Sequence, residues 1–232
     1  MAPSCTAEVT SSGRSAVTGS LPHGWDGPAG CGCCSLSTRL APEHPFPAAI
    51  DDVLAVWRWL RTDQDLSARS IAVAGDSAGG GLAVALLVAI RHAGDALPAA
   101  AALMSPTVDL TSSGASMTER ADQDPFSTPA LLRQLASSYL AGADPKTPLA
   151  SPLFASLAGL PPLLVLVGTA DLLLSDSERL AAAAAQAGVD VTLEVGEGLP
   201  HVYPIMLGTP EAAEATDQIG RFLRARSATA GA

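Results

Sequence analysis

Apolar positions along this chain fall into two patterns, short unbroken runs and longer stripes at helical spacing, and the two alternate. Residues 71–74 (IAVA), 99–104 and 163–167 (LLVLV) are continuous apolar stretches of strand length, the reading expected of strands buried on both faces of a parallel sheet. Residues 191–195 (VTLEV) alternate apolar and polar, as an outer strand does. Between them lie helical patterns. Residues 48–61 place Ile50, Val53, Leu54, Trp57 and Leu60 on one stripe, leaving Trp59 outside it, and 81–90 (GLAVALLVAI) is apolar all round, so the first predicts an amphipathic helix and the second a buried one. Further helices are predicted over 130–141, 175–188 and 212–226. Strands alternating with helices predict an α/β fold, a mostly parallel sheet with helices on both faces and chemistry at the carboxyl ends of the strands.

The remaining stretches predict connections. Three prolines between Pro42 and Pro47 fix an extended loop. Residues 107–129 have no period and read as a long excursion over the sheet edge, and 145–162 is a proline-punctuated link; loops of that length are usually functional or disordered. Residues 1–33, rich in Ser, Thr, Gly and Pro, are expected to form an atypical, disordered segment before a folded domain over 34–232. Only 7–10 and 15–18 there carry weak strand patterns, and 34–37 reads as a short strand.

One junction stands out. The strand at 71–74 runs directly into Gly75-Asp76-Ser77-Ala78-Gly79 and then into the apolar helix. A serine raised on so sharp a strand-to-helix corner needs neighbours of little bulk, and the pentapeptide matches G-x-S-x-G, the nucleophile elbow. Ser77 is the candidate nucleophile, with Gly75, Asp76 and Gly79 as supporting residues, and the Ala78 amide at the helix start is a candidate oxyanion donor. Asp171 and His201 each follow a predicted strand, at 163–167 and 191–195. Taken singly, Asp171 reads as a helix N-terminal carboxylate and His201 as a surface loop histidine. Together with Ser77 they stand in the order nucleophile, acid, histidine, which is the order of an α/β-hydrolase triad. His201 would then take the Ser77 proton, and Asp171 would orient and stabilise the imidazole.

Composition narrows the partners. With 232 residues, 48% hydrophobic and 16% charged, the chain is a globular one whose length suits a single core. Its formal net charge of −10 argues against nucleic acid or an anionic membrane surface. The longest apolar run is too short to span a bilayer, and no signal-like start is seen, so a cytoplasmic protein without a membrane span is expected. Cys5, Cys31, Cys33 and Cys34 cluster near the start. With His23 they lack the paired spacing of a zinc module, and reduced, incidental thiols rather than a metal site are expected. His44 reads as packing in the proline loop and His92 as a favourable charge at a helix end.

Several motifs in register, from about residue 35 to residue 222, resemble the hormone-sensitive-lipase-like (family IV) microbial esterases of the α/β-hydrolase superfamily. They are RLAPEHPFPAAIDD (39–52), GDSAGG (75–80), SPTVDLTSSGASM (105–117), DPF (124–126), LPPLLVLVGTADLLLSDS (160–177), GVDVTLEV (188–195) and EGLPHVYP (197–204). The resemblance implies hydrolysis of short-chain carboxylic esters or lactones without a cofactor, Ser77, Asp171 and His201 as the triad, and a homodimer paired around 191–195 and 212–226. It also implies a second acidic position at Asp176, read here as a helix cap.

The family's His-Gly-Gly-Gly stretch and the strand before it have no counterpart. His23-Gly24 is a faint echo, which makes Gly24 the only other oxyanion donor to consider. The implied fold is therefore N-terminally incomplete, with a gap in mid-sheet that residues 15–18 are too polar to fill. An alternative follows, a catalytically impaired or non-catalytic relative that keeps the pocket for binding.

Overall fold

The computed structural model describes residues 6–11, 32–206 and 208–227. A six-stranded sheet carries the order β2-β1-β3-β4-β5-β6, built from β1 (Thr6–Ser11), β2 (Gly32–Ser37), β3 (Ile71–Asp76), β4 (Ala101–Met104), β5 (Leu163–Ala170) and β6 (Val191–Pro200). The four strands β3 to β6 are parallel, while β1 runs antiparallel to both β2 and β3. The gap anticipated beside the elbow strand is thus occupied: Thr6–Ser11, around the weak pattern at 7–10, lies between β2 and β3. The other weak pattern, 15–18, lies outside the described residues. The strand anticipated at 34–37 begins at Gly32.

The helices are α1 (Ala48–Thr62), α2 (Ser77–His92), α3 (Ser116–Glu119), α4 (Pro129–Leu140), α5 (Leu174–Gln186) and α6 (Pro210–Arg226). Period-two alternation along the strands divides them between two apolar layers. Ile71, Val73, Ala101, Leu103, Leu163 and Val165 face one way, against Ile50, Val53 and Trp57 of α1, the apolar length of α2, and Leu180 and Ala184 of α5. Ala72, Ala74, Ala102, Met104, Leu164 and Leu166 face the other way, against Ala215, Ile219, Phe222 and Leu223 of α6. Trp57 is buried and Trp59 exposed, as the stripe on α1 requires. Burying each Leu, Ile or Val of these layers contributes about 1.5–3 kcal/mol, and that is what makes the strand ends rigid enough to carry chemistry.

Local signals set the helix ends. Thr128 and Thr209 accept hydrogen bonds from the amides of Leu131 and Ala212, each with proline as the first helical residue, so α4 and α6 start one or two residues before the apolar pattern does. The proline loop is anchored to α1 by Arg39, which donates from its backbone amide and its guanidinium to Asp52 at 2.8–2.9 Å. The excursion 107–129 contains the short helix α3, and its backbone returns repeatedly to the strand ends described next. Among the described residues no helix is long and apolar enough to cross a membrane.

Candidate active site

Ser77 stands where β3 ends and α2 begins, with φ 51°. A left-handed backbone at a serine is uncommon and costs on the order of 1–3 kcal/mol unless the surroundings hold it. Two contacts hold this one. The Ser77 carbonyl accepts the Thr107 amide at 2.9 Å, and Gly75 lies so close to the Gly79 carbonyl that a Cβ would overlap it. Without a side chain at 75 the first turn of α2 folds back over the strand and lifts Ser77 out. Ala78, next in the turn, is exposed, and its N–H belongs to the first-turn amides that no helical carbonyl can satisfy.

Asp171 is the first residue after β5 and His201 the first after β6. The sheet brings them to the same edge as Ser77. His201 Nε2 lies 3.0 Å from Ser77 Oγ, and Nδ1 lies 3.1 Å from each oxygen of Asp171. The Asp171 side chain is fully buried, that of His201 13% exposed, so the carboxylate is sealed beneath the ring while Ser77 stays partly accessible. Asp171 Oδ1 also accepts the Leu173 amide at 2.8 Å, which fixes its rotamer.

A second glycine decides how His201 arrives. Gly168 of β5 carries no side chain where the Leu199 carbonyl packs against it; a Cβ there would overlap that oxygen. The pairing shifts at this point: Gly168 pairs with Gly196 and Ala170 with Pro200, so two residues' advance on β5 matches four on β6. The bulged loop is pinned by the Gly198 amide on Thr169 Oγ1 at 2.7 Å. That bulge re-aims the chain so that His201 points back over Asp171.

Burial alone works to lower the His201 pKa, but the hydrogen bond and charge of Asp171, with the charges of Asp124 and Asp76, outweigh it and raise the pKa above 6.5. Asp76, half-buried just before Ser77, makes no side-chain cap bond to α2, and burial pushes its pKa up to about 6 against the pull of His201. An imidazole in this setting can accept a proton from the serine hydroxyl and hold it beside a carboxylate. The arrangement has the geometry that general-base-assisted acyl transfer requires.

A match to the family described as alpha/beta hydrolase fold covers residues 27–205. This chain belongs to that family, on its hormone-sensitive-lipase-like branch. It is 45% identical over 200 residues to an acetyl-hydrolase of Streptomyces hygroscopicus, covering 84% of this chain and 66% of the relative. It is 36% identical over 185 residues to an esterase of Acinetobacter venetianus, covering 79% and 61%. Among solved structures, an esterase from the bacterial hormone-sensitive lipase family superposes with a TM-score of 0.81 at 46% identity, covering 84% of this chain and 67% of that one. The chain thus spans about 60–66% of the length of these curated relatives.

Within this chain several residues take places that the sequence did not announce. Asp176 does not cap its own helix. Its Oδ2 accepts the amides of Val108 and Asp109, both at 3.0 Å, from the excursion after β4. Asp124 of the DPF motif accepts the amides of Phe126 and Ser127 and, through Oδ2, that of Leu172 beside Asp171. Neither role was legible, because both bonds join segments about fifty or more residues apart. Gly24 and His23, with Cys5 and Cys31, lie outside the described residues, and of Cys33 and Cys34 only the backbone is described.

Proposed function

We propose that this chain is a serine carboxylesterase that hydrolyses short-chain carboxylic esters or lactones through an acyl-enzyme. The observation that carries this reading is the continuous path from Ser77 Oγ to His201 Nε2 and from Nδ1 to Asp171, at 3.0 and 3.1 Å. Ser77 Oγ attacks the carbonyl carbon as its proton moves to His201 Nε2. The resulting oxyanion takes the Ala78 N–H, with the dipole of α2 behind it. His201 then gives its proton to the departing alkoxide as the carbon–oxygen bond breaks, leaving the acyl group on Ser77. Water repeats the cycle: its proton goes to His201, its oxygen to the acyl carbon, and Ser77 leaves with the proton. Asp171 keeps the imidazole tautomer and stabilises its charge throughout. The name of the related acetyl-hydrolase supports a small acyl group, and that of the related esterase supports an ester as the substrate class.

The test is hydrolysis of p-nitrophenyl acetate by the parent chain and by Ser77→Ala, with organophosphonate labelling of the parent. Loss of the nucleophile is expected to cut kcat by ~10⁴-fold or more, and the phosphonate is expected on Ser77 alone. Equal turnover by both proteins, or no labelling of the folded parent, would refute it.

A further inference from the structure

Each parallel strand ends beside the site, yet only three of the four ends bear a triad residue. The fourth belongs to β4, which lies between the strands of Ser77 and Asp171. Its first residue beyond the strand is Ser105, fully buried, with φ 47° and its amide on the Leu166 carbonyl at 2.7 Å. Its hydroxyl oxygen accepts the amide of Val202 at 3.0 Å. Val202 follows His201 directly and has φ 53° and ψ 37°. For a β-branched residue that conformation is a marked outlier, and it persists only where neighbours impose it. The Val202 side chain is buried in the apolar layer that packs against α6, so the amide bond to Ser105 and this packing together fix the peptide that joins His201 to its loop.

We propose that Ser105 is the positioning residue for His201, holding the left-handed Val202 through its amide so that the imidazole stays in reach of both Ser77 and Asp171. The proposal rests on the esterase reading. Ser105 touches neither substrate nor reacting atoms; it acts only through the loop. Without the Ser105 oxygen the Val202 amide is a buried donor with no partner, and Val202 can relax to an ordinary φ, turning the peptide that carries the imidazole. The 105–107 turn then serves two triad members at once, since Thr107 also donates to the Ser77 carbonyl.

The experiment compares the parent, Ser105→Ala and Ser105→Cys. Hydrolysis of p-nitrophenyl acetate is normalised to sites titrated by an organophosphonate, and the downfield proton resonance of His201 Nδ1–H is recorded. Expected for Ser105→Ala is a per-site kcat reduced about 10- to 100-fold, the scale of a small misplacement of a catalytic group, with KM within about twofold, and a weakened or shifted resonance. Ser105→Cys, which keeps a weaker acceptor in place, is expected in between. A per-site kcat and resonance equal to the parent's in Ser105→Ala would overturn the proposal, because a merely structural serine lowers the number of titratable sites and not their rate. If Ser105→Ala fails to melt cooperatively, Ser105→Cys decides by the same two readouts. If the parent itself neither turns over nor is labelled, the esterase reading falls, and the resonance alone decides for Ser105: a change in the variant upholds its hold on His201, no change overturns it.

Discussion

Replacing Asp176 by asparagine gives a stability gain that grows with pH. The Asp176 carboxyl is fully buried, and burial, with the charge of Asp109, pushes its pKa from 3.8 up to about 7 despite two backbone donors and Arg179. Its Oδ1 has no hydrogen-bond partner among the described residues, so the ionised form leaves a desolvated oxygen uncompensated. Between pH 4 and 7 the unfolded chain has released this proton while the fold retains it. Unfolding in that window releases a proton, and stability falls as pH rises. A shift of about three units at 1.36 kcal/mol each sets a ceiling of about 4 kcal/mol on what the fold loses through this group by pH 8. Asparagine keeps an oxygen for the Val108 and Asp109 amides and has no charge to desolvate. Asp176→Asn is therefore expected to match the parent at pH 5 within about 1 kcal/mol and to exceed it at pH 8 by about 1–4 kcal/mol. Urea unfolding of both proteins at pH 5, 6, 7 and 8 measures this, and the difference between the two curves cancels every other carboxylate. Parallel curves, or a variant that loses ground as pH rises, would mean that Asp176 is ionised in the fold and that Arg179 and the two amides win over burial.

The pH–rate profile of ester hydrolysis carries a second prediction. Only the neutral imidazole can take the Ser77 proton, and His201 is held above 6.5, so kcat/KM is expected to rise with pH and reach half its maximum above pH 6.5. In Asp76→Asn, which removes one of the supporting charges, that midpoint is expected to move down; a midpoint below 6.5 in the parent would refute the reasoning. Gly168→Ala tests the close approach of β6, since its Cβ would overlap the Leu199 carbonyl. Overpacking of this kind costs about 1–3 kcal/mol, or a Tm lower by roughly 2–12 °C for a chain of this size. Because the displaced segment leads into His201, kcat should fall as well, and an alanine variant with parental Tm would show that the bulge yields freely.

What the sequence made legible was what local pattern encodes. Continuous apolar runs marked β3, β4 and β5, and the glycine-flanked serine marked the elbow, because both depend on residues within a few positions of one another. Asp171 and His201 were readable for a related reason: each lies at the exit of a predicted strand, and in a parallel sheet those exits converge at one edge. Thr6–Ser11 was not readable as a mid-sheet strand, since TAEVTS lacks the continuous apolar run such a place normally demands, and only its neighbours β2 and β3 assign it there.

The less legible residues share a different property. Ser105, Asp124 and Asp176 act on backbone amides, and those amides belong to segments 97, 48 and 68 residues away for Val202, Leu172 and Val108. No periodicity or spacing can announce a bond to a main-chain donor that far along the chain. All three join the stretch after β4 to a segment bearing Asp171 or His201, while Thr107 of the same stretch joins it to Ser77. A loop with no pattern of its own thus becomes the common frame of three side chains that the pattern did reveal. For that reason substitutions along 105–124 should disturb turnover out of proportion to their effect on stability, although none of those residues need meet the substrate.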